Sequence, residues 1–141
     1  MRLAERLLKK GAKLGGLGTQ SHLDIDVAPG AVTACIKDLA SLGLPIHVSE
    51  LDISLSRKLL ELRTVADQLQ AQARLAGETA EAFMALPERQ RFAFSAWGLR
   101  DSDSWLRSPP NAGDGTDQPL LFDDYGQPKP AFESIARAFA G

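Results

Sequence analysis

Residues 45–52 read Pro-Ile-His-Val-Ser-Glu-Leu-Asp, a short apolar run that ends in two carboxylates. An uninterrupted run of about five such residues is typical of a strand that is buried on both faces. Because side chains alternate along a strand, Glu50 and Asp52 are expected on one side of the pleat. The stretch therefore predicts a buried strand with acidic side chains at its C-terminal end.

Two more strands are predicted, one before and one after this stretch. The first covers residues 14–22, where several glycines permit close backbone approach and Gln20 and His22 stand at the C-terminal end. The second covers residues 91–97 and ends at Trp97. Its apolar residues alternate, which places on one face Phe92, Phe94 and Ala96. Polar or aromatic side chains thus follow each predicted strand.

Amphipathic helices are predicted between these strands and at both ends of the chain. Apolar residues recur at helical spacing in four segments, residues 3–8, 32–39, 62–83 and 132–139. Gly11 and Gly43 close the first two segments, and Pro130 stands at the start of the last. A stretch rich in Asp, Ser, Pro and Gly, residues 98–127, is predicted to be a long loop.

The alternation of helices and strands predicts an α/β fold with a parallel sheet and right-handed crossovers. A doubly wound sheet and part of a (β/α)8 barrel both fit this order of elements. Functional side chains at the C-terminal ends of successive strands are the arrangement of the barrel. They are also expected in open α/β sheets, so the pattern favours the barrel but leaves both alternatives open.

Composition excludes several classes of partner. The formal net charge is -2 and the basic residues are scattered, so no nucleic-acid surface is predicted. The first ten residues carry charge every few positions, which is unlike a signal peptide or a membrane span. The single cysteine, Cys35, lies in an apolar helical stripe and is expected to be a buried structural thiol. His22 and His47 are the only histidines and no ligand spacing or nucleotide motif occurs, so no metal and no cofactor are predicted.

Four segments carry a resemblance to a known family. They read Gly-Thr-Gln-Ser-His-Leu (18–23), His-Val-Ser-Glu-Leu-Asp-Ile (47–53), Trp-Gly-Leu-Arg-Asp-Ser-Asp-Ser-Trp (97–105) and Pro-Leu-Leu-Phe-Asp-Asp-Tyr-Gly-Gln-Pro-Lys-Pro-Ala-Phe (119–132). In sequence, order and spacing they resemble consecutive motifs of family 10 glycoside hydrolases, the retaining endo-β-1,4-xylanases. The resemblance implies that residues 1–141 are a single segment from the C-terminal part of a (β/α)8 catalytic domain, about strands six to eight with their helices.

The resemblance also implies roles for six residues. Glu50 is similar to the catalytic nucleophile, His22 to the residue that holds it, and Asp52 to the group that fixes the imidazole from its other side. Gln20 resembles a residue that shapes the sugar site. Two indoles resemble those that floor the pocket beside the cleaved bond, Trp97 and Trp105. Flat rings suit the apolar faces of a pyranose, so the implied partner is xylan or a xylo-oligosaccharide.

The resemblance is incomplete. In the family the acid/base glutamate follows an asparagine, whereas the only asparagine here, Asn111, is followed by Ala112. We therefore expect the acid/base to be missing from this chain and the isolated chain to be inactive or nearly so. The alternative is a truncated remnant that binds xylo-oligosaccharide or self-associates, because a partial barrel leaves strand edges unpaired for the missing half to meet. Export is implied by the family alone, since no signal is visible.

Overall fold

The computed structural model describes residues 2–55 and 61–141. The elements in chain order are α1 (Arg2–Lys9), β1 (Leu17–Asp24), α2 (Ala31–Ala40), β2 (Ile46–Ser54), α3 (Val65–Met84), β3 (Arg91–Ala96) and α4 (Pro130–Ala140). Short 3₁₀ turns are formed by Glu88–Gln90, Asp101–Asp103 and Trp105–Arg107. The helix-strand alternation predicted from the sequence is confirmed, but several boundaries differ.

The three strands form one parallel sheet in the order β1-β2-β3, with β2 in the centre. Helices α2, α3 and α4 supply the side chains that pack against one face of this sheet. The core between the two layers contains two clusters. The first comprises Ile25, Leu51, Ile53, Leu55, Leu75, Ala76 and Ala131, and the second Ile36, Ile46, Val48, Ala82, Phe83 and Leu86. The opposite face of β1 is exposed at Gly18, Gln20 and His22. We call this second side of the sheet the open face.

A β-bulge at Glu50 divides the central strand. Ser49 pairs with Gln20 across the ladder, whereas Asp52 pairs with His22, so β2 uses one more residue than β1 between these two pairs. Glu50 has φ 58° and is the one non-glycine residue with a positive φ in the described part of the chain. The extra residue changes the alternation, which keeps both halves of the strand in contact with the helices.

A second irregularity places the aromatic rings of β3 on opposite faces. The register shifts between the Ile46 and His47 pairs, and Phe92 occupies the unpaired position. Phe94 packs against Phe83 in the core, at 5.7 Å between ring centroids. Phe92 instead lies 5.8 Å from the His47 ring and is 72% exposed. The prediction that Phe92 and Phe94 share one face is therefore wrong, because the bulge inverts the alternation between them.

The long helix α3 begins later than predicted. Thr64 accepts a hydrogen bond from the Asp67 amide, and the Asp67 carboxylate accepts one from the Thr64 amide. This capping box fixes the first turn at Val65. Leu62, which was predicted to start the apolar stripe, lies before the helix and is 85% exposed. The strand predicted at residues 14–22 is likewise displaced, since β1 covers Leu17–Asp24.

Cys35 is exposed, so the prediction of a buried thiol is wrong. Its neighbour Ile36 carries the burial on α2 and is only 1% exposed. Cys35 itself lines a groove of about 200 Å³ along the outer side of β1, together with Leu23 and Val32. Helical spacing placed Cys35 on the apolar stripe of α2, but the part of the stripe that contains Cys35 extends beyond the edge of the sheet. Among the described residues, none of the helices combines the length and apolarity needed to cross a membrane.

Helix α2 receives its N-terminal cap from another helix. Its own N-cap residue is Gly30, which has no side chain to offer. The Glu78 carboxylate on α3 accepts hydrogen bonds from the Gly30 amide at 3.1 Å and the Thr33 amide at 3.1 Å. Although burial opposes it, these hydrogen bonds lower the pKa of Glu78 below its ordinary value. Glu78 therefore ties α3 to the first turn of α2.

Candidate active site

The C-terminal ends of β1 and β2 bring one carboxylate between two polar side chains. The Gln20 amide Nε2 donates a hydrogen bond to Glu50 Oε1 at 3.2 Å. His22 Nε2 lies 3.1 Å from the other carboxylate oxygen, Glu50 Oε2. The Glu50 side chain is 21% exposed on the open face, so it is held at both oxygens and still reachable. The bulge places it there, because the extra residue turns Glu50 away from the helix layer.

A second carboxylate, that of Asp52, approaches the other ring nitrogen of His22. Asp52 Oδ1 lies 3.0 Å from His22 Nδ1, and Asp52 is only 1% exposed. This approach is close enough for an ion pair but lies off the N–H direction, so Oδ1 has no well-formed hydrogen bond among the described residues. Ionised carboxylates only accept. Each His22 ring nitrogen faces one carboxylate, Nε2 that of Glu50 at 3.1 Å and Nδ1 that of Asp52 at 3.0 Å.

Trp105 shares the buried carboxylate. Its indole Nε1 donates to Asp52 Oδ2 at 2.7 Å, which leaves Oδ1 for His22. The Trp105 ring lies 5.2 Å from the His22 ring, and the Trp97 ring lies 6.0 Å away, both edge-on. Both indoles are exposed in part, Trp97 at 47% and Trp105 at 38%. The amide of Trp97 donates to Leu51 O at 3.0 Å, which ties the end of β3 to β2. Two partly exposed indoles therefore lie against the His22 ring, whose Nε2 contacts the Glu50 carboxylate.

The segment that carries Trp105 is anchored by a buried ion pair. Lys129 Nζ lies 3.1 and 3.0 Å from the two Asp101 oxygens, and Asp101 Oδ1 also accepts from the Leu120 amide at 2.8 Å. Asp101 is 1% exposed and Lys129 5%. Burial raises the pKa of Asp101 and lowers the pKa of Lys129, and the opposite charge of each partner works against both shifts.

Further anchors connect the same segment to the end of β2. Asp117 accepts from Ser54 Oγ at 2.5 Å and from the Leu55 amide at 2.9 Å. Gln72 Nε2, on α3, donates to Ile53 O at 2.8 Å and to Gln118 O at 2.6 Å. The segment predicted as a loop is therefore long but fixed, and it contains two 3₁₀ turns.

All six candidate residues predicted from the sequence lie together at one end of the sheet, namely Gln20, His22, Glu50, Asp52, Trp97 and Trp105. Sequence reasoning did not predict the ion pair of Asp101 and Lys129 or the contacts of Asp117. A signal for the pair was present, because Lys129 stands between two prolines and directly before the apolar start of α4. In the described ranges, no group of three or more potential ligand side chains is arranged to hold a metal ion.

A parallel sheet with carboxylate, imidazole and indole side chains at the C-terminal ends of its strands is the arrangement of (β/α)8-barrel enzymes. The comparison with known families is specific. The model of glycosyl hydrolase family 10 matches residues 1–138, and the chain belongs to that family. The expected partial (β/α)8 barrel is confirmed, since solved family 10 xylanases superpose on nearly the whole chain.

Relatives are considerably longer than this chain. It is 37% identical over 135 residues to the exoglucanase XynX of Acetivibrio thermocellus, covering 95% of this chain and 11% of the relative. It is 31% identical to an endo-1,4-beta-xylanase of Geobacillus stearothermophilus, covering 92% and 40%. A thermostable mutant xylanase of Cellvibrio japonicus superposes with a TM-score of 0.83 at 29% identity, covering 99% and 44%. A further structure, at 28% identity and TM-score 0.83, is a mutant xylanase A in complex with xylopentaose. The chain spans less than half the length of each of these proteins.

Proposed function

We propose that this chain carries the nucleophile side of a retaining endo-1,4-β-xylanase site, with Glu50 as the attacking carboxylate. The observation that supports this best is the double hold on Glu50, whose oxygens lie 3.2 Å from Gln20 Nε2 and 3.1 Å from His22 Nε2. A nucleophile must be ionised, aligned and accessible. The contacts at both oxygens support alignment of Glu50, and its 21% exposure supports access.

The reaction assigned to Glu50 proceeds in two steps. In the first, a Glu50 oxygen forms a bond to the anomeric carbon while the glycosidic oxygen leaves with a proton from a second carboxylic acid. In the second, water activated by that second residue attacks the same carbon and releases Glu50. Both displacements occur at one carbon, so the anomeric configuration is retained.

His22 and Asp52 act on Glu50 in this proposal. His22 Nε2, at 3.1 Å from Glu50 Oε2, holds the carboxylate by a hydrogen bond and keeps it aimed at the sugar. Asp52 at 3.0 Å from Nδ1 fixes the ring. Because Asp52 is buried, this support does not depend on solvent.

The substrate we propose is xylan or a xylo-oligosaccharide. Trp97 and Trp105 are partly exposed and lie against His22, the neighbour of Glu50. The C–H faces of a pyranose pack on such rings while its hydroxyls bond to neighbouring polar groups. Gln20 is one such neighbour, with its amide beside the nucleophile. The xylopentaose complex of a structural relative is consistent with this substrate class.

We propose further that the acid/base residue comes from outside these 141 residues. The only asparagine is Asn111, and Ala112 follows it where the family pattern has glutamate. Without general acid catalysis the leaving oxygen departs unprotonated, and rates fall by roughly 10²–10⁴. The chain on its own is therefore expected to show almost no hydrolysis of xylan.

An activated aryl xylobioside tests the nucleophile separately from the acid, because a dinitrophenolate leaving group needs little protonation. We expect slow release of dinitrophenol and, by mass spectrometry, a glycosyl adduct on the peptide that contains Glu50. Glu50→Gln should abolish both signals, whereas Glu81→Gln, which changes an exposed glutamate on α3, should retain them. An adduct formed equally well by Glu50→Gln would exclude Glu50 as the nucleophile.

A second proposal concerns the edges of the sheet: we propose that β1 and β3 pair with the remaining strands of a barrel. Each of β1 and β3 pairs on one side only within the described residues. A cleft of about 240 Å³ on the open face is lined by His47 and Phe92, and Phe92 is 72% exposed. Unpaired edges and exposed aromatics favour association. Sedimentation analysis should show self-association or aggregation of the isolated chain, and a sharp two-state melt of a dilute monomer would contradict this.

Export is the remaining part of the proposal. Xylan is a polymer too large to cross a membrane, so an enzyme that acts on it must meet it outside the cytoplasm. Fractionation of cells that express the full natural protein tests this, and recovery from the cytoplasm alone would contradict it.

A further inference from the structure

We propose that the buried pair of Asp101 and Lys129 is a positioning element of the active site, which holds the Trp105 indole against Asp52. The inference deepens the proposed function and rests on it in one respect: the contact between Trp105 and Asp52 matters for catalysis only if His22 and Glu50 do. The geometric part concerns Trp105 alone and is tested without a sugar.

The contacts of the Asp101–Lys129 pair fix the orientation of the turn that begins at Asp101 as well as stabilising it. Lys129 Nζ contacts three oxygens, the two of Asp101 at 3.1 and 3.0 Å and the main-chain oxygen of Gln118 at 2.6 Å. Asp101 Oδ1 also accepts from the Leu120 amide. Two apolar side chains of similar volume would fill this space as stably, but they would not fix the orientation of the turn. These short polar contacts allow little movement.

The connection from the pair to Trp105 is short. Asp101 begins the 3₁₀ turn Asp101–Asp103, and Trp105 begins the next turn. Between them stands Ser104, which is 1% exposed and accepts a hydrogen bond from the Leu106 amide at 3.1 Å. Three residues therefore separate Asp101 from Trp105, and the Ser104 amide donates a hydrogen bond to the Asp101 main-chain oxygen at 3.2 Å.

The ion pair connects the segment that carries Trp105 to the helix layer. Lys129 is the N-cap residue of α4, and α4 packs along α3. Asp52, in contrast, belongs to the central strand β2. The pair thus sets the distance between a residue carried by the long segment and a residue carried by the sheet. Its loss should move the Trp105 indole away from Asp52 even when the core remains folded.

The indole N–H resonance of Trp105 reports this contact directly. A hydrogen bond to a buried carboxylate shifts the resonance downfield and slows exchange of the proton with solvent. Trp97→Phe assigns the two indole signals of the chain. In Lys129→Met we expect the Trp105 signal to move upfield and its hydrogen exchange to accelerate by at least about tenfold. Lys129→Arg, which keeps the charge, should recover most of the wild-type signal.

Two further variants separate positioning from simple stabilisation. Asp103→Asn removes an exposed carboxylate of the same turn, paired with Arg100, and should leave the Trp105 signal unchanged. The double variant Asp101→Asn with Lys129→Met removes the charge imbalance and should fold even if the single lysine variant does not. Its Trp105 proton should still exchange rapidly. Wild-type exchange of that proton in either folded variant would overturn the proposal.

Titration with xylotriose distinguishes failure of this inference from failure of the proposed function. If xylotriose quenches the tryptophan fluorescence of the wild-type chain, Lys129→Met should weaken that quenching and Lys129→Arg should restore it. Equal binding by wild type and Lys129→Met would contradict a role for the pair at the sugar site. Absence of binding by the wild type would contradict the proposed substrate of this chain, and the indole resonance still decides the positioning of Trp105.

Discussion

Substitutions at Glu50 should reveal that its backbone is strained. With φ 58°, Glu50 adopts a conformation that disfavours residues with a Cβ by about 1–2 kcal/mol. Glycine relieves this strain but gains about 0.5–1 kcal/mol of chain entropy in the unfolded state. Glu50→Gly and Glu50→Ala lose the same side-chain contacts with Gln20 and His22, so their difference isolates the backbone. We expect Glu50→Gly to be more stable than Glu50→Ala by about 0.5–1 kcal/mol.

The neighbouring residue Ser49 supplies the control. Its φ is not positive, and its hydroxyl bond to Thr19 O is lost equally in the alanine and glycine variants. At Ser49 the order should therefore reverse, with glycine less stable than alanine by about 0.5–1 kcal/mol. Urea unfolding followed by circular dichroism at one fixed protein concentration measures all four variants. If glycine destabilises equally at both positions, Glu50 is not strained.

Two other substitutions test the scaffold around the site. Because the folded-state pKa of Glu78 lies below its ordinary value, Glu78→Gln should destabilise the chain at pH 7 by about 1–2 kcal/mol through loss of the α2 cap. This difference in the free energy of unfolding should be lost as the pH falls through the folded-state pKa of Glu78. Urea unfolding of wild type, Glu78→Gln and the control Glu81→Gln between pH 7 and pH 3 measures it. A difference that does not depend on pH would contradict the assignment. Gly98→Ala should destabilise by about 1–3 kcal/mol, because its Cβ would lie 2.8 Å from the Leu120 side chain at a φ of 151°. In a Leu120→Ala background the penalty should shrink, and an unchanged penalty in thermal melts would show that the clash is not its cause.

The sequence predicted the parallel sheet and the six candidate residues, but it did not predict how β2 presents its carboxylates. Strict alternation would place Ile46 and Val48 on one face together with Glu50 and Asp52. The structure places Leu51 and Ile53 on that face instead, because the bulge inserts one residue. A signal was present in the spacing of the apolar residues, which changes at position 50. We predicted only a short apolar run with the acidic residues at its end, whereas β2 continues through them to Ser54.

Other differences have no comparable signal in the sequence. The capping box of Thr64 and Asp67 could have fixed the start of α3, since its spacing is characteristic. The exposure of Cys35 could not have been predicted, because helical periodicity does not say where the sheet beneath the helix ends. The bond from Trp105 to Asp52 joins residues 53 apart, and its geometry depends on how the intervening segment folds back. Contacts of this range follow from tertiary structure alone.

The bulge at Glu50 also limits how this strand can be recombined with others. A chimaera that joined residues up to Ser49 from one parent to residues from Leu51 onward of another would have to keep one unpaired residue at the junction. Deleting that residue would reverse the faces of the downstream half of the strand. Leu51 and Ile53 would then be exposed, and Asp52 would point into the apolar core between the sheet and the helices. Shuffling of related genes is therefore expected to tolerate crossovers on either side of this position and to fail when one codon is lost from it.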